Sequence, residues 1–185
     1  MSFDFSFLST FPLWAGLLIA FVTVVAMEFT AYAVHRWVMH GPLGWGWHAS
    51  HHEPHDDALE KNDLYAVVFG VLAVAMFWIG ANGHPWLWWI GLGTSIYGIL
   101  YFIAHDGLVH QRWPFRYIPR KGYLQRLYQA HRLHHAVDGR DGCVSFGFLY
   151  TPPVRVLKEQ LKENATQRER NQEFAVDKDA FRGRA

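Results

Sequence analysis

The sequence predicts an all-α, polytopic membrane protein: three or four transmembrane helices carrying a histidine-rich helical cap on the cytoplasmic side. Three observations predict it. Apolar residues gather into long runs at about 13–34, 64–81 and 86–104. Lysine and arginine avoid two particular connections. Histidine is abundant and clustered, twelve in 185 residues. The length suits a single domain, 1–185, with a polar C-terminal tail from about 158 to 185.

A helical span needs roughly 20 apolar residues to cross about 30 Å of hydrocarbon. "LWAGLLIAFVTVVAMEFTAYAV" (13–34) has that length with one charge, Glu28, while 64–81 and 86–104 carry none. Between the last two lies "NGHP" (82–85), a turn with Gly83 and Pro85, so these two runs predict a helical hairpin. Helices buried in a soluble protein would need more chain than this to cover them.

All 17 basic residues lie within 36–61 or 112–184. The positive-inside tendency then places the N-terminus and the 82–85 turn outside, and the rest on the cytoplasmic side of the plasma (inner) membrane. Trp86, Trp88 and Trp89 fall at the outer interface, and Trp45, Trp47, Trp113 and Phe115 at the inner one. The first run lacks a basic flank and is too long for a cleaved signal peptide, and no transit peptide is visible. "GCVSFGFLYTPP" (142–153) is too short to cross as a helix and reads as interfacial or re-entrant. Val154, Leu157 and Leu161 mark a short amphipathic helix, polar and frayed beyond about Asn164.

A net charge of +1 argues against bulk nucleic-acid binding. The single cysteine, Cys143, excludes an intrachain disulfide framework, a CxxC zinc site and a self-contained iron–sulfur cluster.

The histidines collect on one face. "HRWVMH" (35–40) follows the first run and "HASHH" (48–52) comes shortly after. "HDGLVH" (105–110) follows the third run, and "HRLHH" (131–135) comes later. The chain thus reads as a doubled unit of span, Hx4H and HxxHH. An even number of crossings returns the second half to the first half's side. Ten histidines are candidate metal ligands: His35, His40, His48, His51, His52, His105, His110, His131, His134 and His135. No catalytic residue is expected beyond them.

In a helix, positions i, i+3 and i+4 share one sector, so each HxxHH presents three ring nitrogens to one region. The Hx4H pairs differ, because five residues advance a regular helix by about 140° beyond a full turn. Either the helix is locally distorted there, or each histidine of a pair faces a different metal. Ten imidazoles exceed any single ion, and zinc usually takes four ligands. Two six-coordinate ions offer twelve positions and leave about two open, a demand that points to iron and oxygen chemistry.

His84 sits in the outer turn, away from the cluster, and His55 lies beyond Pro54 as a weaker candidate. Asp106, Asp138, Glu53, Asp56 and Asp57 are candidates to orient ligand rings by accepting their far N–H, with solvated surface charge as the plainer reading for most. Glu28 shares a helical face with His35. A carboxylate inside a span is costly, which makes it a candidate for a hydrogen bond beneath the metal site.

At these residues the chain resembles the membrane fatty acid hydroxylase/sterol desaturase superfamily of non-haem di-iron proteins. "HDGLVHQRWPFRYIPRKGYLQRLYQAHRLHHAV" with "GCVSFGFLYTPP" is similar to its bacterial β-carotene 3-hydroxylase branch, over roughly residues 25–157. The resemblance implies two non-haem irons held by the ten motif histidines, with zinc as a possible substitute. It implies O2 as co-substrate and hydroxylation of β-ionone rings at C3, taking β-carotene through β-cryptoxanthin to zeaxanthin. Breaking a ring methylene C–H requires a metal–oxygen oxidant, which agrees with the residues. Tyr97, Tyr101, Phe102, Phe69 and Trp78 are candidates to line the carotenoid's path, though packing or lipid contact explains each equally well.

Turnover needs two electrons, and the chain carries no GxGxxG fingerprint, haem motif or cysteine cluster. An external donor is implied, such as ferredoxin with its reductase. The basic run 112–126 could dock it or touch anionic lipid. The rival readings are another hydroxylase, a desaturase or a carotenoid ketolase of the superfamily, a metal transporter, and a structural zinc protein.

Overall fold

The structure, a computed structural model, describes residues 11–53, 59–114 and 116–182, with the side chains of the last helix described as far as residue 175. The described residues are helical or irregular. Helix α1 (Leu13–Ala33) runs on through a π-helical stretch, Val34–Met39. Then come α2 (Trp45–His52), α3 (Asp63–Ala81) and α4 (Pro85–Tyr101), which also continues as π-helix, Phe102–Val109. Helices α5 (Gly122–His134) and α6 (Val154–Arg182) follow.

Among the described residues, three helical stretches are long and apolar enough to cross a membrane: Leu13–Met39, Asp63–Ala81 and Pro85–Val109. The first and third are longer than the hydropathy of the sequence suggests. Each Hx4H segment extends its span rather than following it. Phe21, Phe29, Val71 and Val74 stand exposed along α1 and α3, an outward apolar surface that suits hydrocarbon and not water.

Helix α4 packs against both α1 and α3. Apolar side chains gain little by meeting each other in lipid, so close backbone approach carries more of the packing. Gly93 supplies it: a Cβ there would lie 2.6 Å from the Ala20 carbonyl oxygen and from Thr23 Cβ on α1. The hairpin between α3 and α4 forms as expected. Gly83 takes a φ of 111° that side chains avoid, and Pro85 begins the next helix where no amide bond is lost.

Two aromatic assignments change. Trp89 is buried against Gly16 rather than lying at the interface. Trp45 turns inward onto the rings of His40, His48 and His52. Phe115, Pro54, His55, Asp56 and Asp57 lie outside the described residues.

The C-terminal region also differs from expectation, because α6 continues to Arg182 instead of fraying after Asn164. Tertiary contacts hold its first half. Leu157 is buried, Asn164 Nδ2 donates to the Gly142 carbonyl at 3.1 Å, and Arg168 donates to the Asp141 carbonyl at 3.2 Å.

Replacing Gly93 by Val is expected to separate α1 from α4 and destabilise the protein by about 1–3 kcal/mol, as overpacking does. Thermal unfolding in detergent measures it.

Candidate metal centre

The Hx4H problem is resolved by the backbone. His40 N–H donates to the His35 carbonyl at 3.0 Å, and His110 N–H to the His105 carbonyl at 2.9 Å. These are i+5→i bonds, the mark of a π-turn. The wider turn brings positions five apart onto one side of the helix. The ring centroids of His35 and His40 lie 5.3 Å apart, and those of His105 and His110 4.5 Å. Local distortion is therefore the arrangement found, and each pair serves one cluster.

The HxxHH segments behave differently from expectation. In each, the first and third histidines join their own half's Hx4H pair, while the second crosses to the other. In a helix, i+3 and i+4 point about 100° apart, which aims them at adjoining spaces rather than one.

Two sets of five result. Cluster I comprises His35, His40, His48, His52 and His134. Its Nε2 atoms approach at 3.2 Å (His35 to His48), 3.1 Å (His40 to His48 and His134) and 3.3 Å (His48 to His52). Cluster II comprises His51, His105, His110, His131 and His135, with separations of 3.0 Å (His51 to His105), 3.0 Å (His110 to His131) and 2.9 Å (His131 to His135). The clusters adjoin: the rings of His52 and His135 lie 4.6 Å apart.

Within cluster I, and between His51 and His105, these close approaches are not hydrogen bonds, because the outer nitrogens fix the tautomer. In cluster I, Nδ1–H donates to the carbonyls of Phe146, Arg140, Val137 and Val144 from His35, His40, His52 and His134, and to Asn62 Oδ1 from His48, at 2.8–3.0 Å. In cluster II, His51 donates to Glu60 at 2.9 Å and His105 to Asp106 at 2.7 Å. With the proton on Nδ1, the Nε2 of each of these seven rings offers a lone pair inward. Convergent lone pairs repel one another and are satisfied by a cation. Sets of four from each cluster have donor atoms within 4.8 Å of one another. The donor chemistry fits two metal ions.

Burial and the surrounding rings also keep the cap's imidazoles neutral. His40 is lowered from 6.5 to about 4, His48 to about 3 and His135 to about 2, with burial the largest cause in each. His51, His131 and His134 lie well below 6.5 for the same reason.

Of the acidic candidates, Asp106 does orient a ring. Glu53 and Asp138 are exposed. Glu60 and Asn62, at the start of α3, were missed by sequence reasoning. Their place at the mouth of the second span, facing the histidine end, was the available signal. Cys143 was also missed; its thiol lies near His40, His52 and His134. Burial raises it to about 12, so it stays protonated. His84 is exposed in the turn between α3 and α4, at the opposite ends of those helices from Asn62 and His105.

Glu28 acts on the site through segment 142–153. Its carboxylate accepts the Tyr97 hydroxyl at 2.7 Å and the amides of Phe148, Leu149 and Tyr150 at 2.9–3.1 Å. It touches no histidine directly. The segment it holds supplies the Val144 and Phe146 carbonyls to His134 and His35, and Phe148 stacks on His35 with ring centroids 5.1 Å apart.

An apolar cavity of about 540 Å³ lies between α1, α3 and α4. Phe69, Tyr97, Tyr101, Phe102 and Phe148 line it; Trp78 is exposed elsewhere. Tyr101 and Phe148 form its inner end and pack on His105 at 4.6 and 5.3 Å. Arg112 is not a free part of the basic run, since it pairs with Asp63 at 2.9 Å.

Glu28→Gln turns an amide donor toward backbone donors and is expected to cost about 3 kcal/mol and to lower bound metal; thermal unfolding and metal analysis report both. Acid should loosen the cap. Between about pH 3 and 6.5 the unfolded chain, with ordinary imidazoles, binds more protons than the folded one. The stability these rings contribute is full above about pH 6.5 and declines as pH falls below it. Unfolding midpoints across that range test the slope.

Comparisons with known proteins place the chain in a family. The chain is 70% identical over 151 residues to a β-carotene hydroxylase of Paracoccus sp. (strain PC1), covering 82% of this chain and 93% of that one. It is 67% identical over 156 residues to the β-carotene hydroxylase of Paracoccus sp. (strain N81106 / MBIC 01143), covering 84% and 96%. For the β-carotene hydroxylase of Pantoea ananas, identity is 62% over 146 residues, covering 79% and 83%. No solved structure matches. Residues 20–152 match fatty acid hydroxylase, and the chain belongs to the fatty acid hydroxylase family.

Proposed function

We infer that this chain is a membrane-embedded β-carotene hydroxylase that adds oxygen at C3 of the β-ionone ring, taking β-carotene to β-cryptoxanthin and then zeaxanthin. One observation carries the chemistry: two five-nitrogen clusters stand directly beyond the inner end of an apolar cavity. The bacterial relatives, named β-carotene hydroxylases, support the substrate.

The ten histidines, His35, His40, His48, His52 and His134 in one set and His51, His105, His110, His131 and His135 in the other, are the proposed metal ligands. Two nitrogens about 2.1 Å from a shared ion and at right angles lie about 3.0 Å apart, against about 3.4 Å in a tetrahedron. The observed 2.9–3.3 Å between neighbouring nitrogens is the spacing of donors that share one ion, and five donors per set exceed the four that zinc usually takes. A six-coordinate ion held by five of these imidazoles would keep room for O2, which suits iron in an oxygenase. Two non-haem irons would supply, with O2, the oxidant that an unactivated ring methylene requires.

The chain's own residues do the rest. Aromatic walls at Phe69 and Phe102 receive an apolar ring and exclude water. Tyr101 and Phe148 set how near the ring end comes to the histidine cap. One oxygen atom enters the substrate and the other leaves as water, a balance that takes two electrons and two protons per turnover. A separate ferredoxin-type donor supplies the electrons. The exposed Arg116, Arg120 and Lys121 are placed to meet it, and the basic residues set the cap on the cytoplasmic side of the plasma membrane.

Expression in a host that accumulates β-carotene tests the reading: hydroxylated C3 products are expected, and a 4-keto product would instead indicate a ketolase. His134→Ala and His135→Ala should each abolish hydroxylation and lower bound iron, whereas His84→Ala should change neither by more than about twofold.

A further inference from the structure

The two clusters differ in what stands behind their rings. All five outer acceptors of cluster I are neutral: the carbonyls of Phe146, Arg140, Val137 and Val144, and the Asn62 side-chain amide. Cluster II has two carboxylates in that position, Glu60 behind His51 at 2.9 Å and Asp106 behind His105 at 2.7 Å. The Glu60 side chain is buried, at 4% exposure, and that of Asp106 is partly so, at 13%.

Their setting is acidic. Arg112 lies 3.5 Å from Glu60 and 3.6 Å from Asp106, but its short contacts go to Asp63 at 2.9 and 3.0 Å. Asp63 in turn accepts the Glu60 backbone N–H at 3.0 Å. Among the described residues, Arg112 is thus shared by three carboxylates, two of which accept from cluster II rings. A carboxylate that accepts an imidazole N–H raises electron density at the ring's other nitrogen and holds the ring's orientation, and loss of such a partner typically costs about 10–100-fold in metal affinity. Negative charge close to a buried cation also favours it directly.

We propose that the clusters are unequal metal sites: cluster II holds its ion more tightly and releases it more slowly, with Glu60 and Asp106 as positioning residues acting through His51 and His105. This rests on the reading that the ten histidines hold two ions. At limiting metal, cluster II fills first and cluster I last, so a chain with one ion carries it beside the acidic group.

Release of Zn2+ from the full-length, zinc-loaded protein in detergent, followed with excess chromogenic chelator, tests this without relying on turnover. Two phases of one ion each are expected, about 10–100-fold apart in rate. Glu60→Gln and Asp106→Asn should each accelerate the slow phase and leave the fast one. Asn62→Asp, which places a carboxylate behind His48 in cluster I, should slow the fast phase. A single phase carrying both ions, or acceleration of both phases alike by Glu60→Gln with no effect of Asn62→Asp, would overturn the inequality while leaving two ions bound. Fewer than two ions per loaded chain would overturn the two-ion reading and the inequality together.

Discussion

Imidazole lone pairs are turned inward at the cap, and much of the cap is arranged to make that possible. A histidine ring left to itself has two tautomers and rotates about two bonds. Here seven of the ten are fixed by an acceptor on Nδ1. Four of those acceptors are backbone carbonyls from 137–146, a stretch with no regular secondary structure whose polar groups would otherwise need partners at depth. The loop and the histidines satisfy each other. The loop's carbonyls find donors, and the rings acquire a defined tautomer.

The two halves of the chain are also bound together through these rings. His134 completes the set built by the first half, and His51 completes the set built by the second. Neither half can assemble five donors alone. The exchange follows from helix geometry, since the middle histidine of each HxxHH points away from its companions. The π-turns are the complementary device, because they bring together two histidines that a regular helix would separate. Both features serve to shape the donor sets, and both interrupt the regularity on which the sequence pattern depends.

Glu28 extends this support into the bundle. Carboxylates at such depth are tolerated when hydrogen bonds replace their water, and three amides with one hydroxyl do so here. The result is a strap that joins α1 and α4 and lies against the histidine rings. Phe148, on that strap, faces the apolar cavity and both clusters. The residue that closes the cavity is thus positioned by the same contacts that orient His35 and His134.

Much of this was legible without coordinates. The three spans, the hairpin at Gly83 and Pro85, and the convergence of ten histidines on one end all follow from apolar run length, turn residues and spacing, which are local properties. The partition of the histidines into two fives was not legible, because it depends on a π-turn that adds one residue to a helical turn without leaving a hydropathy signal. Glu60 and Asn62 escaped notice for a related reason: an acceptor is defined by where its partner arrives, and His51 and His48 reach them only after α2 folds back on the start of α3. Trp45 and Trp89 were placed at interfaces by their type, but packing turned both inward. The continuation of α6 past Asn164 likewise draws on bonds from Asn164 and Arg168 to the 141–142 backbone. The sequence alone determined which chemistry could occur and on which end of the bundle, since residue type and period-level pattern suffice for that. Only the tertiary structure decided which nitrogen joins which set and what charge stands behind it, because those are distances between segments far apart in the chain.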